Sequence, residues 1–112
     1  MPSGEIGLLQ GTLDFLILKT LSWGEMHGFE LARWIQQATD DALRIEEGTL
    51  YPALHRLDRK GLIVGEWGVS DRGRRAKFYR LTASGERVLR QESRNWSKFV
   101  NAVNKVVEAA ES

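Results

Sequence analysis

The sequence predicts a mainly α chain with one small β-hairpin, an α+β fold within a single domain of 112 residues. Three observations carry that reading. Apolar residues recur at helical spacing over three segments of the first half, the period then switches to that of strands around a Gly-containing turn, and a long final stretch returns to helical spacing. Apolar residues make up 42% of the chain, which argues for a packed globule rather than a disordered segment.

The first helix is expected over about 11–22, GTLDFLILKTLS, with Thr12 as a candidate cap. Leu13, Leu16, Ile17, Leu18 and Leu21 are apolar on several sides, so this helix should be buried on more than one face. WGEMHG (23–28) reads as a turn, with His27 a turn or N-cap residue. A second helix over about 28–39 sets Leu31, Trp34, Ile35 and Ala38 at i, i+3, i+4 and i+7.

The third segment, EEGTLYPALHRLDRKGLI (46–63), spaces Leu50, Leu54, Leu57 and Gly61 as a helix with Pro52 among them. Proline suits a helix's first turn, where backbone N–H groups lack partners. The helix is therefore expected to begin near Gly48 or Thr49 and to close at Gly61. LIVGEWGV (62–69) and RAKFYRL (75–81), joined by SDRGR, read as a β-hairpin. Thr82 is the N-cap candidate for a last helix to about residue 110, with Glu86 one position past the capping-box site.

Three helices, a hairpin and a helix is the element order of a winged helix-turn-helix, whose third helix enters the major groove and whose hairpin is the wing. Residues 1–81 would form that DNA-binding domain and residues 82–112 a C-terminal dimerisation helix.

The net charge of +1 conceals a strong asymmetry. Residues 1–47 hold eight acids and three bases (−5), residues 48–80 three acids and eight bases (+5), and residues 81–112 four acids and five bases (+1). A basic middle third suits either a nucleic-acid-binding face or a merely solvated one. Other classes are disfavoured. Cysteine is absent, and the two histidines, His27 and His55, have no zinc-ligand spacing. No glycine-rich loop follows a strand, so neither an enzyme, a metal site nor a cofactor is expected. LDFLILKTL (13–21) is too short to span a membrane and lacks signal-peptide features, which predicts a soluble cytoplasmic protein.

At 100° per residue, Leu54, Leu57 and Gly61 fall within about 40° of Leu50, while Pro52, His55, Arg56 and Arg59 fall opposite and Thr49 and Tyr51 flank. Arg suits guanine edges, and Arg, Thr and Tyr can all bind phosphate. The helix N-terminus favours a phosphate too, although Glu46 and Glu47 would serve that end as electrostatic caps. Pro52 either only positions the helix or also offers a rigid surface to the groove. On the hairpin, Arg72, Arg74, Arg75 and Lys77 are the DNA candidates, and Arg80 is assigned to structure.

LLQGTLDFLIL (8–18), MHGFELARWI (26–35), EEGTLYPALHRLDRKGLI (46–63) and RRAKFYRLTASG (74–85) resemble the PadR family of bacterial transcriptional regulators, in particular its shorter subgroup with one C-terminal helix. The resemblance implies a winged-helix DNA-binding domain in a homodimer held by the C-terminal helix, usually a repressor acting on double-stranded DNA. It assigns recognition to Thr49, Tyr51, Pro52, His55 and Arg56 and the wing to residues 72–77. Phe29 and Phe78 stand where the family often has tyrosine. A winged-helix protein-interaction module is the alternative, and the basic third helix and wing speak for DNA.

In the last helix, Leu89, Val100, Val103 and Val107 lie within about 40° of Trp96, and Phe99, Val106 and Ala110 extend the stripe. Such a stripe should meet a partner chain as well as its own core. Glu92 falls on the same face. Either it pairs with a partner arginine beside ordinary packing at Trp96, or the two line a pocket for a flat aromatic, cationic effector. Some members of the resembled family bind planar drugs or phenolic compounds at such a seam.

Overall fold

The computed structural model describes residues 10–109. Its elements are α1 (Gln10–Leu21), β1 (Met26–His27), α2 (Gly28–Ala38), α3 (Glu47–Arg59), β2 (Ile63–Val69), β3 (Arg75–Leu81) and α4 (Ala83–Ala109). The expected order holds, with one addition.

α1 is the buried centre. Leu13, Ile17, Leu18 and Leu21 are each at most 3% exposed, and α2, α3, β3 and α4 all pack on this helix. Burial on several sides follows from its unbroken apolar run. Thr20, also buried, satisfies its hydroxyl by donating to the Leu16 carbonyl at 2.8 Å. Thr12 is not a cap, because the helix is already running at Gln10.

WGEMHG is more than a turn. Met26 and His27 pair antiparallel with Tyr79 and Phe78, so the sheet has three strands in the order β1-β3-β2. The reason lies in the cap of α2. His27 is the N-cap residue in extended conformation, its Nδ1 accepting from the Glu30 N–H at 3.3 Å while Glu30 Oε1 accepts from the His27 N–H at 3.2 Å. An extended N-cap leaves the residue before it free to lie along the open edge of β3. In α2, Leu31 and Ile35 are buried as expected, but Trp34 is 39% exposed and Ala38 is exposed.

α3 begins at Glu47, one residue before the expected start, and Pro52 therefore sits in the second turn. Lacking an N–H, Pro52 cannot bond the Gly48 carbonyl four residues back, so it does cost a backbone hydrogen bond. Gly48 and Pro52 are both exposed, and water can reach the freed carbonyl. The other end matches expectation. Gly61 takes φ +75°, with its N–H bonded to the Asp58 carbonyl (2.9 Å) and the Leu62 N–H to the Leu57 carbonyl (3.0 Å).

The β2–β3 register runs from Ile63 opposite Leu81 to Val69 opposite Arg75. Its turn closes with Gly73 N–H on the Ser70 carbonyl at 2.9 Å, Gly73 taking φ +74°. α4 is capped by Thr82, whose Oγ1 accepts from the Gly85 N–H at 3.0 Å and donates to the Gly61 carbonyl at 2.6 Å. Gly85 is buried where α4 crosses the α3–β2 turn, and a Cβ there would drive into the Leu62 carbonyl. Helix propensity alone favours alanine over glycine by about 1 kcal/mol. The backbone clash reverses that sign: Gly85→Ala should destabilise the fold by about 2–3 kcal/mol, read as a lowered urea midpoint.

Candidate nucleic-acid interface

α3 divides as the sequence indicates on its buried side. Leu50, Ala53, Leu54 and Leu57 are at most 1% exposed and face the core. Thr49, Pro52, His55 and Arg59 are exposed. Tyr51 is 45% exposed, because its ring lies over Gly28 at the start of α2, where a Cβ would come within 3.0 Å of the Tyr51 hydroxyl. Glycine at 28 thus lets α2 and α3 approach closely.

Arg56 departs from the expected outward face. Its Nη2 donates to Asp14 Oδ1 of α1 at 3.0 Å, and the two side chains are only 30% and 17% exposed. On the helical wheel Arg56 lies about 60° from the buried Ala53, close enough for a long side chain to bend inward. Glu46 occupies the N-cap of α3 without a side-chain hydrogen bond, so with Glu47 in the first turn it acts on that end through charge alone.

The wing carries its cations on an aromatic support. Arg75, Lys77 and Tyr79 share one face of β3, opposite Val69, Trp67 and Gly65 of β2. The Arg75 guanidinium lies 4.5 Å from the centre of the Trp67 ring, and the Lys77 ammonium 5.8 Å from that of Tyr79. Gly65 makes room for this, since a Cβ there would come within 2.6 Å of Lys77 Cε. Burial, reinforced by Asp58 and Tyr51, pushes the Tyr79 hydroxyl above the usual phenol pKa, so the ring beneath Lys77 stays neutral at ordinary pH. Ala76, Phe78 and Arg80 face the other way, and Arg80 is exposed beside Trp23, Glu25 and Glu86.

Wing, α2 and α3 enclose an open cleft of about 820 Å³. Arg33, Arg72, Arg74, Arg75 and Lys77 line it against two acids, Glu30 and Asp71, with the rings of Phe29, Tyr51 and Trp67 between them. Sequence reading missed Arg33, Phe29 and Trp67. For Arg33 a signal was present, since it lies on the polar side of α2, but which side faces the wing is a tertiary matter.

The C-terminal half of α4 leaves the domain. Leu89 is 8% exposed and packs on the core, whereas Trp96, Phe99, Val103, Val106 and Val107 are 41–72% exposed. Val100 is half-buried, and Ala110 lies outside the described residues. Trp96 stacks at a tilt between Phe15 of α1 (6.1 Å) and Phe99 (6.0 Å). Glu92 and Trp96 share a shallow pocket of about 320 Å³ with Gly11, Thr12, Phe15, Asn95 and Phe99.

A helical core, a three-stranded sheet ending in a basic wing and an exposed polar face on α3 define a winged-helix transcriptional regulator. The chain belongs to the PadR-like family of transcriptional regulators, whose family model matches residues 17–91. It is 40% identical over 87 residues to transcriptional regulator Rv3488 of Mycobacterium tuberculosis, an alignment covering 78% of each chain. Among solved structures it resembles a transcriptional regulator from Clostridium thermocellum, with 32% identity, a TM-score of 0.78, and coverage of 86% of this chain and 93% of that one. A PadR-like transcriptional regulator from Bacillus cereus is similar too, with 29% identity, a TM-score of 0.77 and coverage of 88% and 94%. Among the described residues no helix is long and apolar enough to cross a membrane.

Proposed function

We propose that this regulator binds duplex DNA as a homodimer and represses transcription, with α3 in the major groove and the wing on the flanking backbone. The observation that carries the reading is the cleft in which five cations converge beside the exposed face of α3. Arg72, Arg74, Arg75 and Lys77 contact phosphates, and Thr49, Tyr51, Pro52, His55 and Arg59 face the groove. Two copies of α3 related by a two-fold axis would read half-sites one helical turn apart, about 10 base pairs. The double substitution Arg74→Ala, Arg75→Ala should weaken binding to all sequences. It should also reduce the slope of log affinity against log salt by almost one unit for each phosphate that the wing no longer neutralises. An unchanged slope in a salt titration would remove the wing from the interface.

The dimerisation role falls to residues 82–112. Supporting it is the apolar stripe of Trp96, Phe99, Val103 and Val107, too exposed for a lone domain of this size. Leu89 packs on the core at the base of the helix, and half-buried Val100 continues the stripe. Placing Val103→Glu and Val107→Glu together should give a folded monomer in sedimentation at micromolar concentration. A dimer that persists would assign the contact elsewhere.

A second reading, an aromatic effector that releases the DNA, is favoured by the pocket that brings Glu92 beside Trp96 and Phe15. There the rings would stack on a planar ligand and the carboxylate would attract its positive charge. Planar aromatic cations should quench tryptophan fluorescence in the parent and do so far less in Trp96→Phe or Glu92→Gln. Equal quenching in all three would eliminate the pocket.

A further inference from the structure

We propose that Asp14 is a positioning residue for DNA recognition: through Arg56 it fixes the rotation of α3 on α1, so that Arg56 anchors the recognition helix and does not read a base. The proposal rests on the DNA-binding reading above and adds a residue from α1, outside the faces assigned to DNA.

The apolar contacts of α3, made by Leu50, Ala53, Leu54 and Leu57, are tight but non-directional. Leucines alone permit a helix to roll by several degrees with little loss of buried area. Rolling matters because side-chain tips stand about 6 Å from the helix axis, so a turn of about 15° displaces them by about 1.5 Å. Hydrogen bonds to base edges tolerate a few tenths of an ångström. A directional contact is therefore needed to hold Pro52, His55 and Arg59 in register.

Asp14–Arg56 supplies it. Among the described residues it is the only ion pair joining two helices, at 3.0 Å. Its foundation is rigid, since Asp14 lies between the fully buried Leu13 and Ile17 on the most enclosed helix of the domain. Arg56 Nε is moreover buried with no hydrogen-bond partner. One arm of the guanidinium thus rests on a carboxylate and its Nε is buried, while the side chain as a whole stays 30% exposed. An arginine that reads guanine needs its fork free for two parallel bonds. With one Nη2 hydrogen on Asp14 and Nε buried, that fork is only partly free, so holding α3 in place is the role the geometry favours for Arg56.

Substitutions at Asp14 separate the readings by sign. Removing an acid near DNA should by charge alone tighten binding, whereas removing an anchor should weaken specific binding. The full chain would first select its preferred duplex from a random pool. Parent, Asp14→Ala, Asp14→Asn, Arg56→Lys and the reversal Asp14→Arg with Arg56→Asp would then be titrated with that duplex and with a scrambled one across a salt series, each checked for helix content.

Expected is a drop of about tenfold in affinity of Asp14→Ala for the selected duplex, the scale of one mismatched base pair, with scrambled-duplex affinity and salt slope unchanged or slightly raised. Asp14→Asn, which keeps an oxygen acceptor, and Arg56→Lys, which keeps the charge, should lose less, and the reversal should recover part of the selectivity. Should Asp14→Ala not fold, Asp14→Asn and the reversal decide the matter alone. If the folded Asp14 variants bind the selected duplex as tightly as the parent or tighter, the anchor is overturned. If the parent itself binds no duplex, the DNA-binding reading fails, and the proposal with it, a result that cannot be confused with the previous one.

Discussion

Thr82 is the fastening on which the two parts of this molecule depend. Its hydroxyl accepts from the Gly85 N–H and donates to the Gly61 carbonyl, and its own N–H reaches the Leu62 carbonyl at 3.1 Å. One residue therefore caps α4, closes the turn that ends α3, and ties the end of the hairpin to its beginning. The same Leu62 carbonyl excludes any side chain at Gly85. α3, the wing and α4 are joined within a few ångströms, so their relative directions are set together. For a protein whose α4 leaves the domain while α3 and the wing face the cleft, that rigidity carries orientation from one end to the other.

Around this junction the polar and apolar contacts divide the work. Burial on α1 supplies most of the stabilisation, since leucines and isoleucines from four helices and the sheet converge there. It chooses the face each helix buries but leaves the last few degrees of rotation to directional contacts. Direction comes from few groups: the reciprocal cap of His27 and Glu30, the Gly61 turn, and the Asp14–Arg56 pair. Each lies at the margin of the core, where water still reaches part of the pair and desolvation is limited. α1 also carries Phe15 against Trp96, so the helix that seats α3 is the helix that supports the exposed stripe of α4.

The wing follows a related logic. Flexible cationic side chains lose rotamer freedom when they bind, about 0.5–1.5 kcal/mol for each one immobilised. Arg75 over Trp67 and Lys77 over Tyr79 are partly ordered in advance by the rings beneath them. The Arg75–Trp67 pair depends on strand register, which sets Trp67 opposite Lys77 and so diagonal to Arg75. Lys77 and Tyr79 are neighbours on one face of β3, and register only sets Gly65 opposite Tyr79 to leave them room. A slip of one residue would turn the cations to the far face of the sheet.

Most of what depends on neighbours along the chain was legible in the sequence, the cap at Thr12 excepted. Period and punctuation set the four helices and the hairpin, Gly61 and Thr82 marked their ends, and the clustering of charge located the basic third. Pro52 misled only slightly, because a solvent-exposed carbonyl tolerates its missing N–H one turn deeper than expected. What the tertiary structure decided concerns groups distant in sequence. β1 is two residues long and exists only because β3 offers an edge to the extended cap of α2. Trp67, Arg33 and Phe29 join the cleft because three elements converge, and Arg56 turns inward because Asp14, 42 positions earlier, waits on the buried helix. A helical wheel ranks positions by their angle to one apolar centre, and it contains no term for a charge on another helix.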